Sequence, residues 1–143
     1  MKNHVLLVED EKITGQMLKQ ALEKEGIEVF LAADGPAALK DMEPGKYDLV
    51  VLDLKLPKMS GDQVLEELRK IDPFVEVIVY TNYEEPPVMK NLIRLGIEEY
   101  IHKGADADLW GTVRKIKERL DPFSSTEREQ ILQAVPPDVF KPE

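Results

Sequence analysis

The sequence predicts an α/β fold in which five strands alternate with five helices around a parallel sheet. Three observations carry this expectation. Short apolar runs alternate along the chain with stretches of helical periodicity. The run Leu49-Val50-Val51-Leu52 is apolar throughout, as in a central strand covered on both faces. Glycines and prolines fall between the periodic segments, where helices must stop and the chain must turn back.

Taken in order, His4 to Val8 reads as a buried strand. Residues 11–25 follow as a helix, with Ile13, Met17, Leu18, Ala21 and Leu22 on one face and Gly26 closing it. Residues 27–32 form a second strand, and residues 36–42 a short helix that stops near Pro44-Gly45. After the central strand comes a loop with Pro57 and Gly61. A helix over residues 62–71 follows, with Val64, Leu65, Leu68 and Ile71 inward. Residues 75–80 are apolar and β-branched, hence a further buried strand. Val88, Met89, Leu92 and Ile93 define the next helical face, closed by Gly96. Residues 98–101 form a more polar strand, suited to a sheet edge. Asp106 or Asp108 caps a last helix with Leu109, Val113, Ile116 and Leu120 inward. Trp110 lies one position off that face and is expected to pad the core boundary, the other reading being an exposed anchor.

Bulk properties narrow the function. A length of 143 residues suits one domain, taken here as residues 1–120, with residues 121–143 as a tail. Ser124 to Glu127 resembles a capping box opening a short helix with Ile131, Leu132 and Val135 on one edge. The tail is either an appendage or a linker toward an output domain. The formal net charge of −9, with no basic block, disfavours nucleic-acid and anionic-membrane binding. The absence of cysteine removes disulfides and thiolate metal sites. The first apolar run is too short for a membrane span, and the expected location is cytoplasmic.

In an open parallel sheet, ligands bind outside the carboxyl ends of the strands. Those ends carry Glu9 and Asp10, Asp53, Thr81 and Asn82, and Lys103. Three crowded carboxylates favour a hard divalent cation such as Mg²⁺. A carboxylate beside it can attack phosphorus, with an ammonium and a hydroxyl to stabilise the transferring group.

With these residues in place, the sequence resembles the receiver domain of two-component response regulators. The matching stretches are Val8-Glu9-Asp10-Glu11, the run from Asp53 through Pro57 to Gly61, Thr81, and Tyr100-Ile101-His102-Lys103. The resemblance implies a doubly wound five-strand sheet in the flavodoxin-like order 2-1-3-4-5, with helices on both faces. It implies phosphorelay signal transduction, with Asp53 accepting a phosphoryl group from a histidine kinase or phosphotransfer protein. It implies Mg²⁺ on Asp10, Asp53 and the backbone carbonyl of Lys55, with Glu9 acting through water. Thr81 and Lys103 would bind phosphate oxygens, and Tyr100 would be the switch residue that turns inward with Thr81. The surface of the fourth helix, fifth strand and fifth helix would then meet a downstream protein or a second copy. Such a domain catalyses only its own phosphorylation and dephosphorylation.

Two positions depart from the family's pattern. Asn82 stands where most receivers carry a small residue, which narrows the approach to Asp53. Gly104-Ala105 follows the lysine where most have proline, so the Lys103–Gly104 peptide is expected to be trans. Lys55, Asn82 and Tyr83 are expected to flank the path of a hydrolytic water and to prolong the phosphorylated state. Other readings fit less well. An aspartyl phosphatase needs a second Asp where Lys55 stands. A flavin carrier would meet repulsion between its phosphate and Glu9-Asp10-Glu11. The remaining alternative is a receiver-like interaction module that signals without phosphorylation.

Overall fold

The computed structural model describes residues 3–82, 86–103 and 108–121. The strands are β1 (His4–Val8), β2 (Glu28–Ala32), β3 (Leu49–Leu52), β4 (Glu76–Thr81) and β5 (Glu99–His102). Between and after them run α1 (Lys12–Lys24), α2 (Gly35–Asp41), α3 (Gly61–Ile71), α4 (Pro86–Leu95) and α5 (Leu109–Leu120). The sheet is parallel throughout in the order β2-β1-β3-β4-β5, as the resemblance implies. The tail expectations, Tyr83 and the Lys103–Gly104 peptide fall outside the described residues.

Each inner strand is apolar on both faces because helices cover both. Leu49 to Leu52 are fully buried, as are Val5 to Val8 within 1%. Strand alternation sorts them into two layers. Leu6, Val8, Val50, Leu52, Val77 and Val79 pack with Val64, Leu65 and Leu68 of α3 and Leu92 of α4. Val5, Leu7, Leu49, Val51, Ile78 and Tyr80 pack with Leu18 and Leu22 of α1 and Val113 and Ile116 of α5.

Three of the sequence expectations about faces are corrected. On α1 the inward residues are Gly15, Leu18, Ala21 and Leu22, while Ile13 is 77% exposed and Met17 51%. The reason is Gly15, where a Cβ would lie 3.2 Å from the Leu31 side chain and 3.4 Å from that of Glu9. The helix rests on the sheet through a residue with no side chain, and this turns Ile13 and Met17 to solvent. On α4, Leu92 is fully buried but Ile93, about 100° further round the helix, is 74% exposed. Trp110 is 59% exposed and does not pad the core.

Helix ends are set by side chains. The Asp34 carboxylate accepts from Ala37 N at 2.8 Å at the start of α2, and Asp108 accepts from Gly111 N at 2.5 Å at the start of α5. At the end of α4, Gly96 has φ +86°. There Arg69 of α3 donates to the carbonyls of Leu95 (3.2 Å) and Gly96 (2.7 Å), tying the two helices together. No helix among the described residues is long and apolar enough to cross a membrane.

The rotated face of α4 is testable by paired truncation. Leu92→Ala is expected to destabilise by about 2–5 kcal/mol in urea denaturation. Ile93→Ala should change stability by no more than about 0.5 kcal/mol. Equal losses would show that the two residues share one buried face.

Candidate functional site

The sheet ladder continues one residue beyond three strands and delivers the polar groups there. Glu9 N donates to Ala32 O at 3.0 Å, and Asp53 N to Val8 O at 3.0 Å. Lys103 N donates to Thr81 O at 2.9 Å. Because all strands are parallel, these residues reach the same edge of the sheet.

Glu9 and Asp53 are buried, at 3% and 5% exposure, while Asp10 is exposed. Among the described residues, carboxylate oxygens of Glu9, Asp10 and Asp53 lie within 4.8 Å of one another. The Lys103 ammonium sits between two of them, 2.5 Å from Glu9 Oε2 and 3.0 Å from Asp53 Oδ2. Burial pushes the Glu9 carboxyl up, against the pull of Lys103. Burial alone would lower the Lys103 pKa, but its bonds to Glu9 and Asp53 outweigh that and raise it. The ammonium therefore stays charged at neutral pH, and a site of three carboxylates and one ammonium keeps an excess of negative charge. Oxygen donors, excess negative charge and one exposed member suit a hard divalent cation that retains water.

The loop after Asp53 is drawn tightly around it. Lys55 N donates to Asp53 Oδ1 at 3.2 Å. Lys58 turns the chain with φ 70°, and its ammonium pairs with Asp34 at 3.0 Å. Gly61 N donates to Leu54 O at 2.8 Å. A Cβ on Gly61 would lie 2.5 Å from both Asp53 O and Leu54 Cα, so only glycine allows α3 to start this close to the end of β3. Ser60 Oγ donates to Asp62 Oδ1 at 2.6 Å, and Asn91 Nδ2 of α4 donates to Asp62 Oδ2 at 3.4 Å.

The structure thus brings Glu9, Asp10, Asp53 and Lys103 together. Thr81 is fully buried at the end of β4. Tyr100 is half-buried and packs with the core layer shared by α3 and α4. Lys55 and Asn82 are exposed. One neighbour was not singled out in the sequence: the Tyr80 ring, whose centroid lies 4.9 Å from the Lys103 ammonium. Its signal was present but faint, an aromatic in the last inward position of a strand before Thr81.

Residues 5–113 match the response regulator receiver domain family. The chain is similar to sporulation initiation phosphotransferase F of Bacillus subtilis, at 33% identity over 108 residues, 76% of this chain and 87% of that protein. The uncharacterized transcriptional regulatory protein YkoG of Bacillus subtilis is 37% identical over 102 residues, 71% of this chain but 45% of that protein. The chain therefore aligns with less than half the length of that relative. A CheY-like response regulator receiver domain protein from Methanospirillum hungatei JF-1 superposes with a TM-score of 0.79 at 32% identity, covering 85% of this chain and 96% of that one.

Gly61→Ala should expose how closely α3 is set against the end of β3. The clash is with backbone, so neither partner can rotate away. A loss of about 1–3 kcal/mol in thermal unfolding is expected, with amide shifts concentrated at residues 53–55. A neutral substitution would mean that the loop is free to move back.

Proposed function

The chain belongs to the response regulator receiver domain family, and on that premise we propose that Asp53 accepts a phosphoryl group from a histidine kinase or phosphotransfer protein, with Mg²⁺ as cofactor. Receiver domains are signalling rather than enzymatic domains. The chemistry proposed here is limited to the chain's own phosphorylation and its reversal. The observation that carries the reading is the buried Asp53 carboxylate with the Lys103 ammonium 3.0 Å away and two further carboxylates beside it.

An Asp53 oxygen forms a bond to phosphorus while the bond from phosphorus to the donor imidazole nitrogen breaks, the electron pair leaving with the imidazole. Paired with the Lys103 ammonium, the Asp53 carboxylate presents an oxygen to phosphorus. Lys103 and the Thr81 hydroxyl neutralise charge on the phosphoryl oxygens, where stabilisation matters most in the transition state. Asp10, Asp53 and the Lys55 carbonyl would hold Mg²⁺, with Glu9 through water, and the ion would supply positive charge against those oxygens. Hydrolysis reverses the modification by attack of water on the same phosphorus. Lys55, Asn82 and Tyr83 are the side chains proposed to flank its approach.

Readout is proposed through Thr81 and Tyr100, which stand on neighbouring strands β4 and β5. The adjoining helices display Ile93 and Trp110 to solvent, which supports α4, β5 and α5 as the face offered to a downstream protein or a second copy.

Incubation with acetyl phosphate and Mg²⁺ should add one phosphoryl group by mass, located on Asp53. Asp53→Asn and chelation of the metal should each abolish the gain. Uptake on another residue, or uptake indifferent to chelation, would overturn the proposal.

A further inference from the structure

Lys103 is held by more than its two carboxylates. Its ammonium lies 4.9 Å from the centroid of the Tyr80 ring, within the range of a cation–π contact. Tyr80 is 9% exposed and Lys103 10%, so the contact is largely shielded from water, where such contacts are strongest. The ring is fixed from several sides. It belongs to the core layer with Ile78, Ile101, Val113 and Ile116, which places it between the sheet and α5. Burial raises the Tyr80 phenol pKa, while Lys103 and a hydrogen-bonding interaction with Thr112 pull it down. Thr112 is itself fully buried and donates to Asp108 O at 3.1 Å, at the start of α5.

The geometry has a simple origin. Tyr80 pairs with Ile101 in the ladder between β4 and β5, and Lys103 lies two residues beyond Ile101 on the same side of β5. The lysine side chain therefore leaves the sheet beside the ring and runs along it toward Glu9 and Asp53. The chain after Lys103 is Gly104-Ala105, residue types that do little to restrain a preceding side chain.

We propose that Tyr80 is a positioning residue for phosphoryl transfer, its ring face holding the Lys103 ammonium at the mouth of the Asp53 pocket. This rests on the reading of Asp53 as phosphoacceptor. The ring's electrostatic face, and not only its bulk, keeps the ammonium beside the acceptor as its partner changes from the Asp53 carboxylate to the phosphoryl oxygens.

The test separates ring electrostatics from packing and from the phosphoacceptor reading. Tyr80 is replaced by Phe, by Leu and by pentafluorophenylalanine, which keeps the ring's shape but reverses the charge of its face. Two quantities are read: the ¹H–¹⁵N signal of the Lys103 ammonium without phosphate, and the rate of phosphorylation by phosphoramidate with Mg²⁺. Tyr80→Phe should retain the ammonium signal and the wild-type rate within about threefold. Tyr80→Leu and the pentafluoro variant should both broaden the signal and slow phosphorylation by about tenfold. A pentafluoro variant that matches Phe in both would overturn the proposal and leave Tyr80 a packing residue. So would an ammonium signal unchanged in Tyr80→Leu, or a wild-type rate in that variant. If the wild type takes up no phosphate, the phosphoacceptor reading fails, and this proposal with it. The ammonium signal then still reports whether the ring holds Lys103.

Discussion

The Lys103 ammonium bridges Glu9 at 2.5 Å and Asp53 at 3.0 Å in a place nearly closed to water. Burying any one of these charges alone would cost several kcal/mol. Together they are tolerable only if the partners arrive in register, and each comes from a different strand end. Glu9 depends on the β1–β2 ladder, Asp53 on β1–β3 and Lys103 on β4–β5. The cluster therefore makes the sheet order a condition of the site: four neighbouring strand pairings must all be correct before the charges can meet.

The same requirement reaches into the helices. α3 starts so close to β3 that Gly61 touches the backbone of Asp53 and Leu54. From that start, Asp62 links Ser60 in the acceptor loop to Asn91 on α4. At the opposite end of α3, Arg69 holds the last carbonyls of α4. α4 has Leu92 as its buried residue, whereas α3 has Gly61, Val64, Leu65 and Leu68. A helix with one fully buried side chain, its Val88, Met89 and Leu95 only partly buried against the core, is bound less firmly by packing than its neighbour. This is the kind of element through which a change at the acceptor loop can be passed outward.

Much of the fold was legible because parallel strands buried on both faces leave continuous apolar runs, such as residues 49–52, that few other structures require. The site's acids and lysine were legible for a related reason. Charged groups placed directly after buried strands have few bland explanations once several occur in order. What failed was the phase of the helices. Counting apolar residues put Ile13 and Met17 inward, because Gly15 carries no side chain to count although it lies close against the Leu31 and Glu9 side chains. Ile93 was misplaced because one turn of α4 holds two large apolar residues and only Leu92 fits beneath it. Tyr80 was read as an ordinary strand residue, since its distance to Lys103 depends on the register between β4 and β5, which neither segment reveals alone.

The balance of charge at the pocket also bears on the order of events. Three carboxylates and one ammonium sum to a formal charge near −2, although burial pushes the Glu9 carboxyl up against the pull of its bond to Lys103. A phosphoryl donor, itself an anion, is repelled by such a site. Lys103 cannot offset this alone, because its single charge is already shared between Glu9 and Asp53. Two added positive charges would bring the pocket near neutrality and would compete with the ammonium for Asp53. That competition leaves Lys103 less committed to Asp53 and more available to oxygen atoms brought by the donor. The ring of Tyr80 acts in the opposite sense, since its attraction for the ammonium does not depend on the charge of Asp53. A lysine tied only to carboxylates must change partner when Asp53 is phosphorylated, from a carboxylate oxygen to the phosphoryl oxygens, whereas one that also rests on a fixed ring keeps its place through the exchange.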